Sequence, residues 1–140
     1  NTLISNPRSI WIDSSNTLYF TDTGNNMVRK ISALTNKITT IAGNRTGSFS
    51  GDNGPASLAL LWVPTGIWGD SYGNFLIGDQ NNRRVRRISP HGIISTIAGS
   101  GKNGYEGDGG PATLAAFRTP RHIVGDTNGN LYVSDYNSFN

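Results

Sequence analysis

The feature that most constrains this chain is a spacing. Pro7, Pro64 and Pro120 lie 64 − 7 = 57 and 120 − 64 = 56 residues apart. Asp13, Asp70 and Asp126 repeat the same steps, as do Asp22, Asp79 and Asp135. Ile41-Ala42-Gly43 returns as Ile97-Ala98-Gly99, and Gly51-Asp52-Asn53-Gly54-Pro55-Ala56 as Gly107-Asp108-Gly109-Gly110-Pro111-Ala112. A period this long divides 140 residues into two full units and part of a third: about 7–63, 64–119 and 120–140. Such a chain folds as a series of like units stacked on their neighbours. The one-residue difference falls in 33–37, opposite 90–93, where a turn absorbs it.

Each unit reads as short strands bounded by turn residues. The first predicts strands at 9–13, 17–21, 27–32 and 37–42, and the second at 66–69, 75–78, 84–89 and 93–98. The third predicts 122–125 and 131–134. Asp70-Ser-Tyr-Gly73-Asn74, Asp126-Thr-Asn-Gly129-Asn130 and Pro90-His91-Gly92 supply hairpin turns. The first two strands of each unit are near-continuous apolar runs, the pattern of strands buried on both faces. Between units, 44–63 and 100–119 begin Gly-rich and then turn apolar at Pro55 and Pro111. Proline at a helix's first position predicts one or two helical turns on the rim of each unit. The expected fold is all-β: a β-propeller segment of about two and a half four-stranded blades.

Composition agrees. Gly is 18 of 140 residues, Asn is 16, and the acidic side is eight Asp and one Glu, which favours turns over helices. There is no Cys, which excludes disulfide scaffolds and Cys-based zinc sites. The longest apolar run, 58–63, is far too short to span a bilayer. Asn1 is not a start Met and no leader opens the chain, which reads as processing or as a cut from something longer. The net charge of +3 is only mildly basic.

Three motifs together resemble the NHL repeat: Pro-x-x-Ile-x-x-Asp, then Leu-Tyr-hydrophobic-x-Asp, then Asn-x-x-Val-Arg-(Lys/Arg)-Ile. The Ile-Ala-Gly…Gly-Pro-Ala linkers resemble its long-linker variety, similar to repeats in bacterial and protist surface proteins and in teneurins. The resemblance implies a six-bladed propeller. It departs at Gly69 and Gly125, which stand where a bulky first-strand residue is expected.

Several residues are candidates for chemistry. Asp22 and Asp79 end second strands, and Arg29 and Arg86 recur in third strands. Their repetition predicts structural carboxylate–guanidinium pairs, within or between blades. Arg83-Arg84-Val85-Arg86-Arg87 places four cations in five residues, a possible phosphate or acidic-glycan surface centred on Arg83 and Arg84. Strand alternation would split those charges across two faces, and Asn26-Met27-Val28-Arg29-Lys30 does not continue the basic run, so nucleic acid is not the expected partner. Asp126-Thr-Asn128-Gly129-Asn130 resembles the start of a calcium loop but lacks the closing Glu, and reads as turn chemistry. His91 and His122 are too few for a three-ligand metal site. Trp11 and Trp68 match across units and are expected to pack between blades. Arg45, Phe49, Lys102, Tyr105 and Arg121 are candidate contact residues, expected to project from loops beside a rigid scaffold. Asn44-Arg45-Thr46 is an N-glycosylation sequon.

No catalytic constellation, cofactor motif or metal motif is assembled. The expectation is a non-enzymatic protein- or glycan-interaction scaffold of a secreted or cell-surface protein, with further blades or subunits covering its terminal blades. The alternatives are a metal-dependent lyase- or lactonase-like propeller enzyme with its site in other blades, and an RNA-binding module.

Overall fold

The computed structural model describes residues 3–136. Three antiparallel sheets follow one another along the chain. β1 (Pro7–Ile12), β2 (Leu18–Asp22), β3 (Met27–Ile31) and β4 (Ile38–Ala42) form the first, in the order β1-β2-β3-β4. β5 (Pro64–Gly69), β6 (Phe75–Asp79), β7 (Arg84–Ile88) and β8 (Ile94–Ala98) form the second in the same order. β9 (Pro120–Gly125) pairs with β10 (Leu131–Asp135) in the third. The first strands β1, β5 and β9 lie side by side, while β3, β4, β7 and β8 fan outward. That is the geometry of propeller blades radiating from a common axis.

Register gives each blade two chemically distinct faces. Pairing aligns Trp11, Tyr19, Lys30 and Thr39 in one row, and Trp68, Leu76, Arg87 and Ser95 in the matching row of the next blade. This forward face meets the following blade. The Trp11 ring lies where a Cβ on Gly69 would come within 2.6 Å of it, and Trp68 covers Gly125 with a corresponding 2.3 Å. The two glycines that depart from the repeat pattern are therefore the seats of the preceding blade's tryptophan. Trp11 also packs edge-on against Phe75, with ring centroids 5.6 Å apart. One repeat step from these pairs stand Ile12 in place of the glycine and Val124 in place of the tryptophan.

The opposite row, Ile67, Ile77, Arg86 and Thr96, faces back toward the first blade and its linker. Backbone carbonyls knit the inner seam. Thr21 and Thr23 donate their hydroxyls to the carbonyls of Thr65 and Pro64 at 2.9 and 2.6 Å, and Thr65 donates to those of Pro120 and Arg121. β5 and β6 are nearly completely buried, as the apolar runs predict. β1 and β10 are not: they alternate or stand open, because each borders solvent on one face.

The linkers correct the helical expectation. Each contains a single three-residue 3-10 turn, Ala56–Leu58 or Ala112–Leu114, packed against the last strand of the blade before it. Pro55 sits ahead of the turn with an extended ψ of 127°, and Ala59 is extended again at ψ 153°. The chain leaves the helix at once because Leu60 and Leu61 bridge back to Ser50 and Gly47.

Candidate functional site

Two side-chain constellations recur with the repeat. The first closes the inner hairpins. Asp13 Oδ1 accepts the backbone N–H groups of Ser15 and Thr17 at 2.8 and 2.9 Å, Asp70 does the same for Tyr72 and Asn74, and Asp126 for Asn128 and Asn130. A carboxylate bonded two and four residues on is an Asx-type turn, and it accounts for this aspartate in every unit. The Asn130 side chain and backbone hold the Asp126 carboxyl below its ordinary value. Tyr19 donates its hydroxyl to Asp13, and burial together with that carboxylate pushes the phenol up to about 12.

Between adjacent turns the forward faces open into clefts. A cleft of about 870 Å³ lies between the first and second blades, lined by Trp11, Tyr19, Lys30, Phe75 and the turn residues Asp13 and Asp70. Its counterpart between the second and third blades, about 580 Å³, is lined by Trp68, Arg87, Leu76 and Asn74 with Asp70 and Asp126. Asp70 and Ser71 form the wall shared by both. Lys30 and Arg87 stand 57 residues apart in the same register, so each cleft pairs an indole with one cation at the same place.

The second constellation staples the chain where it enters a blade. Asp22 Oδ1 accepts the Ser5 N–H at 2.7 Å, Asp79 Oδ1 that of Trp62 at 2.8 Å, and Asp135 those of Arg118 and Thr119. Arg29 donates to Asp22 at 3.1 Å and Arg86 to Asp79 at 3.1 Å, both within one blade. Arg86 also reaches Asp52 at 2.9 Å and the Ser50 carbonyl at 3.0 Å, and Thr96 donates to Asp52 at 2.7 Å. Burial pushes the Asp79 carboxyl up to about 6, against the hydrogen bonds from Trp62 and Asn82 and the charge of Arg86.

The linker 44–63 is thus fixed to the second blade. Asn53 N–H donates to the Ile94 carbonyl at 2.7 Å, Ile94 N–H to that of Gly54 at 3.0 Å, and Ala56 N–H to that of Gly92 at 2.8 Å. This changes the expected role of several residues. Phe49 does not project freely: the Arg84 guanidinium lies 3.8 Å above its ring centroid and that of Arg86 4.8 Å. Arg84 is not an open phosphate contact either. It donates to the carbonyls of Asn82 and Ser100, both at 2.9 Å, and burial followed by the charge of Arg86 lowers its affinity for its proton. Arg83 stands at the turn before β7 in left-handed backbone, φ 52°, half-buried. Arg121 belongs to strand β9 rather than a loop, with its guanidinium 4.2 Å above the Tyr136 ring. Arg45, Lys102 and Tyr105 are exposed on the linkers as expected, with Arg118 lying 5.4 Å from the Tyr105 ring centroid. Asn44 is exposed, and its Oδ1 accepts the Thr46 N–H at 3.1 Å.

Sequence reading placed Lys30 and Arg87 in no site. The available signal was their recurrence at the same step as Trp11 and Trp68. Among the described residues no group of three or more His, Cys, Asp and Glu side chains is placed to hold a metal ion.

No protein-family model and no curated protein matches the chain. Solved structures do. A Bacteroides thetaiotaomicron structural-genomics protein of unknown function matches at TM-score 0.74 and 26% identity, over 86% of this chain and 30% of that one. An auxiliary nutrient binding protein from Bacteroides ovatus matches at 0.74 and 24%, over 94% and 35%. Virginiamycin B lyase from Staphylococcus aureus matches at 0.61 and 16%, over 96% and 36%. The fold is a β-propeller type, and the chain spans about a third of the length of these neighbours. Their activities differ, so the likeness fixes architecture and leaves function to the site.

Proposed function

We propose that the chain is a non-enzymatic binding scaffold of a secreted or cell-surface protein whose inter-blade clefts take acidic saccharides. The observation that carries this reading is the repeated pairing of a tryptophan with an otherwise uncommitted cation, Trp11 with Lys30 and Trp68 with Arg87, in two clefts that share a polar wall. Indole rings favour the apolar faces of sugar rings, and a guanidinium or ammonium at the cleft wall favours a carboxylate substituent. Clefts of this volume suit one or two sugar units each. Two of them on one rigid arc favour a polymer that can occupy both at once. A nutrient-binding role occurs on this fold in the Bacteroides ovatus neighbour, which is compatible with the reading. Exposure of Asn44 in its sequon is compatible with passage through a secretory route.

The test is equilibrium binding of oligouronides against neutral oligosaccharides of equal length. Acidic oligomers bind preferentially, and Arg87→Ala and Lys30→Ala each weaken binding without altering the circular dichroism spectrum. Equal affinity for both sugars, or affinity unmoved by both substitutions, sinks the reading.

A further inference from the structure

Linker 44–63 and linker 100–119 have the same backbone, yet only the first has a hairpin seated in it. Gly54 N–H donates to the Gly51 carbonyl at 3.1 Å, and Gly110 N–H to that of Gly107 at 3.0 Å. Leu58 donates to Pro55 and Leu114 to Pro111, and Gly43 and Gly99 are bonded to Ala56 and Ala112 respectively. In the first linker, this backbone lies along the β7–β8 hairpin. Phe49 underlies Arg84, and Asp52 bridges Arg86 and Thr96. In the second, the corresponding residues are Tyr105 and Asp108, 56 positions on. Tyr105 is 77% exposed against 39% for Phe49, and the side chain of Asp108 stands open. Asp135, which corresponds to Asp79, accepts two backbone N–H groups. The outward edge of β10 carries no strand among the described residues.

We infer that linker 100–119 and the edge of β10 form a preformed socket for a β-hairpin of the β7–β8 kind. Its first strand would carry an arginine opposite Val133, the position that faces Arg86 at Ile77 and Arg29 at Phe20. The occupant is defined by chemistry. Its first strand adds to the β10 edge through main-chain bonds, its arginine joins Asp135 to Asp108, and a second cation two residues earlier covers Tyr105. A carboxylate pair meeting one guanidinium gives charge complementarity that the second blade already realises between Asp79, Asp52 and Arg86. The occupant can come from the same polypeptide or from a partner, since the socket reads only the hairpin.

Two measurements test this. The 140-residue chain is titrated with a synthetic peptide of its own residues 83–99, and a second chain carries residues 83–99 repeated after position 138. The expected results are saturable peptide binding and a higher urea midpoint for the extended chain. Asp108→Asn, a substitution at an open surface position, lowers peptide affinity about tenfold or more and removes most of the gain in the extended chain. Replacing the arginine equivalent to Arg86 with methionine in the appended copy does the same. An extended chain no more stable than the original, or a gain untouched by Asp108→Asn, overturns the inference. The extension removes the entropic handicap of a short free hairpin, so failure there is decisive.

Discussion

The isoleucines at the second-row position of the first strands make the sharpest comparison in the molecule. Ile10, Ile67 and Ile123 are the same residue in the same register, yet Ile10 is 63% exposed while Ile67 and Ile123 are 5% and 6% exposed. Nothing local separates them. Ile67 and Ile123 each have a preceding blade laid against their back face, and the back face of the first blade is open among the described residues. The arginines show the same contrast: Arg86 is held by Asp79 and by Asp52 of the linker before it, and Arg29 by Asp22. A blade in this chain acquires its core from its predecessor, and interior quality is a property of seams rather than of sequence units.

Substitutions at matched positions should therefore give unequal losses. The largest is expected for Arg86→Met, which strands two carboxylates and costs about 3–5 kcal/mol, against about 1–3 for Arg29→Met, read from urea unfolding. Next comes Ile67→Ala at about 2–5 kcal/mol, with Ile10→Ala near zero. Equal effects within either pair would break the comparison. Gly69→Ala is expected to cost about 1–3 kcal/mol, because the new methyl meets a Trp11 ring hemmed in by Tyr19 and Phe75. A near-ultraviolet dichroism change would report the displaced indole. The smallest effect is one of pH. The Asp79 carboxyl sits at about 6 against an ordinary 3.8, so the native state holds its proton more tightly than the unfolded chain. That contribution is present in full below about pH 4 and is lost as pH rises through 6. Asp79→Asn should remove this decline from a pH series of unfolding free energies, while the rest of the profile stays.

The strands were legible because their boundaries are local. Aspartate, asparagine and glycine mark each hairpin, and all ten strands fall within two residues of their sequence-based bounds. The linkers were not. Their glycines read as flexible, but Asn53, Gly54 and Ala56 bond to residues 36 to 41 positions away, and Arg86 finds Asp52 34 positions back. No short window contains both partners. The helix expected at Pro55 was a sound local preference overruled by bridges from Leu60 and Leu61. The clefts escaped for a related reason, since each is assembled from two blades. Arg84 and Phe49, read as separate surface groups, turn out to be one stacked pair.

The tryptophan seats give the series a direction. A blade that both offers an indole forward and receives one behind needs Trp and Gly at neighbouring first-strand positions, and the second blade has them as Trp68 and Gly69. The first has Trp11 followed by Ile12, and the third has Val124 followed by Gly125. Tandem duplication of the gene segment for the second blade would therefore yield a chain whose new junction is already complementary. Duplicating the first would set an indole against Ile12, and duplicating the third would leave a glycine hollow unfilled. Lengthening of such an arc by recombination has one permissive register, carried by two adjacent codons.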